Sequence, residues 1–195
     1  NLGEVSSGKK INKDNIQVLD KNSKEFDKDF VEQFTETQQK YLGFIMNILN
    51  SIGNLNVVVL ASNDAAISQA RALGEVAGEG AIGSFYHDGT MYLNMETMRL
   101  NTLFHEVIHP LVDFAKVNDP ALYAKIEQEI KTSNITKRFI SNGRKSSGTY
   151  YDWAKANYKK RAKELKYTVD KAEAMYIEEA FAEMVGDAAA GLLNA

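Results

Sequence analysis

The sequence has no cysteine, two prolines, one tryptophan and three histidines among 195 residues. Without thiols, a disulfide scaffold, a thiolate zinc finger and a cysteine nucleophile are excluded, and cysteine usage says nothing about the redox compartment. Any metal must be held by imidazole and carboxylate. No apolar run approaches the roughly 18 residues needed to cross a bilayer. A large excess of either charge is also missing. The formal charge is −3 and the pI near 5.7, so the whole-chain balance predicts neither nucleic acid nor an anionic membrane as the main partner. There is no G-x-S-x-G, and the glycines between Gly78 and Gly83 have neither the G-x-G-x-x-G order nor a P-loop lysine. Hydrophobic residues at 44% and charged residues at 25% are ordinary for a globular chain with a true core. The start, Asn1-Leu2-Gly3-Glu4, has no initiating Met and no signal-peptide pattern. The chain therefore reads as part of a larger polypeptide, with its compartment undetermined.

Residues 1–28 are polar and lysine-rich and read as a linker or loosely docked arm, leaving 29–195 as one domain. From Phe30 to Ile52 the residues Phe34, Tyr41, Phe44, Ile45, Ile48 and Leu49 recur at helical spacing, which predicts one long helix closed by Gly53-Asn54. Val57-Val58-Val59-Leu60 predicts a buried strand. Asn63-Asp64 reads as the cap of a helix ending near Gly74. Residues 81–94 predict a hairpin turning at His87-Asp88-Gly89. A helix is expected from about 97 or 98 to 117. Asp119-Pro120 opens the next one, with Asp as cap and Pro in its first turn. Residues 142–148 read as a polar loop, followed by helices at about 150–165 and 169–192.

The chemistry concentrates in His105-Glu106-Val107-Ile108-His109, an H-E-x-x-H segment within the most amphipathic helix. On an α-helix, residues four apart differ by about 40° in rotation and about 6 Å along the axis, so two imidazoles can converge on one ion. Zinc accepts imidazole and carboxylate and, in catalytic sites, keeps one position for water. Glu106 then lies beside that water rather than on the metal. His105 and His109 are two of three histidines and fall at the edge of the apolar stripe. Pro110 has no N–H for the Glu106 carbonyl and is expected to bend the helix.

A third protein ligand must come from elsewhere. The last helix contains Glu178-Glu179-Ala180-Phe181-Ala182-Glu183-Met184-Val185-Gly186-Asp187. Apolar residues interleave these acids, so the helix reads as largely buried, and a buried carboxylate needs a partner. Glu179 and Glu183 share a face. Glu179 is the preferred metal ligand, with Glu183 as the alternative. The other carboxylate would accept the N–H of a ligating histidine and fix its tautomer.

HEVIH followed by EAFAE resembles the gluzincin pattern of H-E-x-x-H and E-x-x-A-D or E-x-x-A-E. The run Tyr176-x-Glu178-Glu179-Ala180-Phe181-Ala182-Glu183-Met184 is similar to the C-terminal motif of zincin-like peptidase domains in phage and mobile-element polyvalent proteins. The resemblance spans about residues 81–187, with Pro110 and Glu183 as departures. It implies an α+β zincin-like metallopeptidase fold, a small β-sheet with an edge hairpin packed on the metal-binding helices. It also implies a zinc-dependent endopeptidase: Zn2+ on His105, His109 and Glu179, Glu106 as general base, and Glu183 orienting a ligand. A peptide substrate would lie extended along the hairpin edge. For the oxyanion donor, His87, Tyr150, Tyr151 and Tyr176 stay open, His87 reading more simply as a turn residue.

Other features carry less. The basic stretch Lys155, Lys159, Lys160, Arg161, Lys163 and Lys166 around Tyr158 and Tyr167 could touch nucleic acid, but in a net negative chain it reads first as a solvated helix face. Met91, Met95 and Met98 read as core filler. The alternative to an enzyme is a catalytically silent structural or interaction module of a larger phage or mobile-element protein. Its mark would be a fourth protein ligand, such as Asp187 or His87.

Overall fold

The β-branched run at 57–60 lies in the middle of a sheet. In the computed structural model, residues 16–19, 22–51, 55–74, 83–141 and 143–191 are described. Four strands, β1 (Ile16–Leu19), β2 (Asn56–Leu60), β3 (Phe85–His87) and β4 (Thr90–Asn94), form one sheet in the order β1-β2-β4-β3. β2 pairs parallel with β4, and the outer pairs are antiparallel. A parallel pair needs a crossover, and helix α3 (Asn63–Ala72) lies between β2 and β4 in the chain. Val57, Val58, Val59 and Leu60 are all buried, as expected of a strand covered on both faces.

The turn between β3 and β4 has two residues, Asp88 at φ 44° and Gly89 at φ 78°. Both are positive, the requirement of a type I′ turn, which Asp-Gly meets with the least strain. Phe85 and Tyr92 face each other across the pair and stack at 4.7 Å. Val18, Val58, Leu60, Ala66 and Tyr92 form the core beside this sheet. Met91, Met95 and Met98 are buried.

Three expectations need correction in this part of the chain. Ile16–Leu19, assigned to the arm, is strand β1; its apolar residues are clear, but their partners lie some forty residues away. The helix expected over 30–52 is two helices, α1 (Lys28–Glu32) and α2 (Glu36–Ser51). Thr35 and Gln38 divide them: Thr35 N–H donates to Gln38 Oε1 at 3.0 Å, and Gln38 N–H to Thr35 Oγ1 at 3.4 Å. That reciprocal capping starts a new helix. The cap of α3 is Ser62, whose Oγ accepts from Ala65 N–H, one residue earlier than expected. The expected stop at Gly53-Asn54, the residues before 83 in the hairpin, and most of the Gly78–Gly83 loop lie outside the described residues.

The chain divides into two compact units, Asn1–Glu106 and Val107–Ala195, and the division falls inside helix α4 (Leu100–Asn118). The second unit continues with α5 (Pro120–Thr132), β5 (Thr136–Ser141), β6 (Arg144–Thr149), α6 (Tyr150–Glu164) and α7 (Val169–Ala189). Asp119 caps α5 by accepting from Leu122 N–H, with Pro120 in the first turn. Residues expected as a loop at 142–148 instead contribute most of β6, antiparallel to β5. Polar alternation hides this ribbon, because one of its faces stays in solvent. Ile130, Tyr150, Ala154, Ala162, Tyr176, Ile177 and Ala180 form the core of the unit.

α6 opens on a capping box between Thr149 and Asp152. A Cβ on Gly148 would stand 2.9 Å from Asp152 Cβ, so Gly148→Ala should dislodge the cap and lower stability by about 1–2 kcal/mol. Gly43, exposed within α2, has open space where a side-chain methyl would stand, with nothing beyond its own turn of helix backbone within 4 Å among the described residues. Gly43→Ala should therefore raise stability by about 0.5–1 kcal/mol. Urea unfolding of both variants checks the pair.

Candidate metal centre

The rotation of α4 is set by its apolar residues. Leu103, Val107, Ile108, Val112 and Ala115 are buried, and His105, Glu106 and His109 are buried among them. Ile108 and Val112 pack on Ala182 of α7, with Phe181 and Val185 at the margin. Ala182 follows Glu178 and Glu179 by four and three residues, and so shares their face of α7. Packing at Ala182 therefore turns both glutamates toward α4. The helix is continuous through Pro110, so the second histidine stays in register with the first.

His105, His109 and Glu179 come together, with one ligand atom from each lying within 4.8 Å of the others. His109 Nε2 stands 4.0 Å from Glu179 Oε2. His109 Nδ1 meets Glu178 Oε1 at 2.9 Å. An ionised carboxylate accepts only, so Nδ1 carries a proton, and in the neutral imidazole Nε2 is then the free acceptor on the side of Glu179. Lys116 Nζ donates to the other oxygen of Glu178 at 2.5 Å. Burial works against the Glu178 charge, but the hydrogen bond and charge of His109, followed by those of Lys116, outweigh it and hold its carboxyl below the usual range. The result is a chain from ammonium to carboxylate to imidazole, which ends in an Nε2 lone pair when His109 is neutral, the form a metal ligand takes.

The donor set fits a divalent ion. Two imidazoles and one carboxylate suit a borderline metal. With metal–ligand bonds of about 2.0–2.2 Å, two donors on one ion stand at most about 4.4 Å apart, so a group spread over no more than 4.8 Å has only to draw in slightly to share one. These residues can hold a metal ion.

The structure separates the two acids that the sequence put on one face. The carboxylate that orients His109 is Glu178, which sequence reasoning misses. Glu183 is held by Lys137 Nζ, which also bonds Asp187. Lys137 further sits over the rings of Tyr150 and Trp153, 5.5 Å from each. Burial lowers the Lys137 pKa, but the bonds to Asp187 and Glu183 more than reverse this and raise it. Tyr150 Oη donates to Asp187 at 2.8 Å. Burial, first, and that carboxylate raise the phenol's pKa, which keeps it a donor. Tyr151 Oη donates to Glu173, and Tyr176 is buried in the core. The hydroxyls of Tyr150 and Tyr151 thus already serve carboxylates. His87 ends strand β3.

Glu178 has a faint signal in the sequence, since two adjacent glutamates on a helix diverge by about 100° and can straddle one imidazole. Lys116 stands seven residues, two turns, beyond His109, and nothing local marks it. Lys137 comes from the strand that the sequence conceals.

Removing the orienting carboxylate in Glu178→Ala should weaken metal binding about 10–100-fold. Lys116→Met should shift it the same way by less. Competition against a chromogenic chelator measures both. No protein-family model, curated protein or solved structure matches the chain, so the case for a metal centre rests on these side chains themselves.

Proposed function

We propose that the chain is a zinc-dependent peptide hydrolase with a zincin-like fold. The observation that carries this reading is the His105, His109 and Glu179 group with Glu106 buried on the same helix. Among the described residues the group has three members and includes neither Asp187 nor His87. Asp187 is instead bonded to Lys137 and Tyr150. Three protein ligands match a catalytic zinc site, whereas a structural one normally has four.

A zinc ion, when bound, would contribute Lewis acidity that makes hydroxide accessible near neutral pH and polarises a carbonyl. The remaining work belongs to the chain. Glu106 lies about 60° around α4 from His109, on the flank of the ligand pair. Its carboxylate takes a proton from the attacking water as the new C–O bond forms. It then passes that proton to the amine nitrogen as the C–N bond breaks, the usual two-way role of a general base. Glu178 keeps His109 in the tautomer that presents Nε2. Lys116 holds Glu178 in place.

Metal analysis of the purified protein, beside Glu106→Gln and Glu179→Gln, tests the reading, together with digestion of a peptide library. Wild type should hold about one zinc per chain and cleave peptides. Glu106→Gln should keep the zinc and lose about 10²–10⁴ of the rate, while Glu179→Gln should lose most of the metal. A wild-type protein without zinc after reconstitution would sink the proposal. Zinc without cleavage of any peptide would make the domain a silent module.

A further inference from the structure

Charge in this chain is segregated along the sequence. Residues 136–166 hold ten Lys and Arg against two acids, Asp152 and Glu164, a formal +8. The whole chain is −3, so the other residues together carry −11. The positive segment is a single structural piece, the β5–β6 ribbon leading directly into α6.

Lys137 turns inward to Glu183 and Asp187, and the other cations lie toward the surface of the segment. Lys155, Lys159 and Lys163 repeat at four-residue spacing on one face of α6, a step of about 6 Å each. With Lys160, Ser141 of β5 and one carboxylate, Asp152 of the α6 capping box, they line a hollow where ribbon and helix meet. A second hollow runs along the ribbon past Arg138, Lys145, Ser146 and Ser147, with Phe139 and the exposed Ile140 also in its lining. Lys155 has Glu173 at 3.9 Å and Lys160 has Glu164 at 3.6 Å, both lysines at least half exposed. Such surface pairs hold little energy. Among the described residues, no carboxylate pairs with Lys159, Lys163, Arg138 or Lys145. Like charges four apart destabilise a helix, and a bound polyanion relieves that strain.

We propose that the β5–β6 ribbon and α6 form a binding surface for the phosphodiester backbone of a nucleic acid, separate from the metal centre. A net charge averaged over the chain predicts no such partner, but a polyanion contacts a face and not an average. A helix that binds membranes needs an exposed apolar side. The apolar side of α6 is already used: Tyr150, Ala154 and Ala162 pack in the core with Tyr176, Ile177 and Ala180 of α7. Lysines and serine hydroxyls in the hollows suit phosphate oxygens, which fix position and not base sequence.

Fluorescence anisotropy of the full chain tests this, with labelled duplex DNA of about 20 base pairs, single-stranded DNA and RNA of the same sequence, and vesicles of phosphatidylserine and phosphatidylcholine. Binding to at least one nucleic acid is expected. For about four phosphate contacts on duplex, the affinity should fall on the order of 100-fold between 50 and 200 mM salt. Lys159→Glu with Lys163→Glu should weaken binding more than about tenfold, and the milder Lys159→Gln with Lys163→Gln should weaken it less. Lys24→Glu with Lys28→Glu, reversing two cations elsewhere, should leave it unchanged. Glu106→Gln and metal removal should also leave it unchanged, so the peptidase reading can fail without this one failing. The proposal is overturned if no nucleic acid binds at 50 mM salt, if only vesicles bind, or if the Lys159 and Lys163 variants bind like wild type. Loss of binding on metal removal would place the polyanion at the metal centre and overturn it equally.

Discussion

A carboxylate taken out of water must find positive charge, and α7 takes four of them inward. Glu178, Glu179, Glu183 and Asp187 have side chains exposed by only 17%, 14%, 16% and 5%. The desolvation cost is several kcal/mol for each ion, so the arrangement around α7 is in large part a solution to this one constraint. Lys116 answers Glu178, and Lys137 answers both Glu183 and Asp187. Glu179 faces imidazoles, which carry charge only when protonated. A divalent ion at that point would complete the set. The same constraint thus links the ion pairs, the histidine tautomer and the proposed metal.

What could be read from residue order follows from how local each signal is. The H-E-x-x-H pair needs only helical rotation, the Asp88-Gly89 turn only its own φ values, and the Asp119-Pro120 start only its cap. These were legible. Strand β1 was not, because four residues inside a polar arm become a strand only by pairing with β2. The β5–β6 ribbon escaped because its alternation is polar against half-buried instead of apolar against polar. Thr35-x-x-Gln38 was a readable capping box that the strong apolar period around it masked.

The candidate site shows the same division. Glu179 could be named because it completes a pattern with the two histidines. Its neighbour Glu178 and the distant Lys116 and Lys137 could not, because their roles depend on which helix face meets which. That choice is made by Ile108, Val112 and Ala182, apolar residues with no chemical signature. Net charge is silent on charge layout for a related reason: a sum over the chain erases the contrast between 136–166 and the rest.

Trp153 is the one tryptophan of the chain. Its ring and that of Tyr158 meet nearly at right angles, 5.9 Å between centroids, and the Lys137 ammonium lies over it. Indole emission from this protein therefore comes from a single place, beside the cation that steadies the far end of α7. The protein has an optical reporter where its buried charge is balanced, and it needs no label to be read.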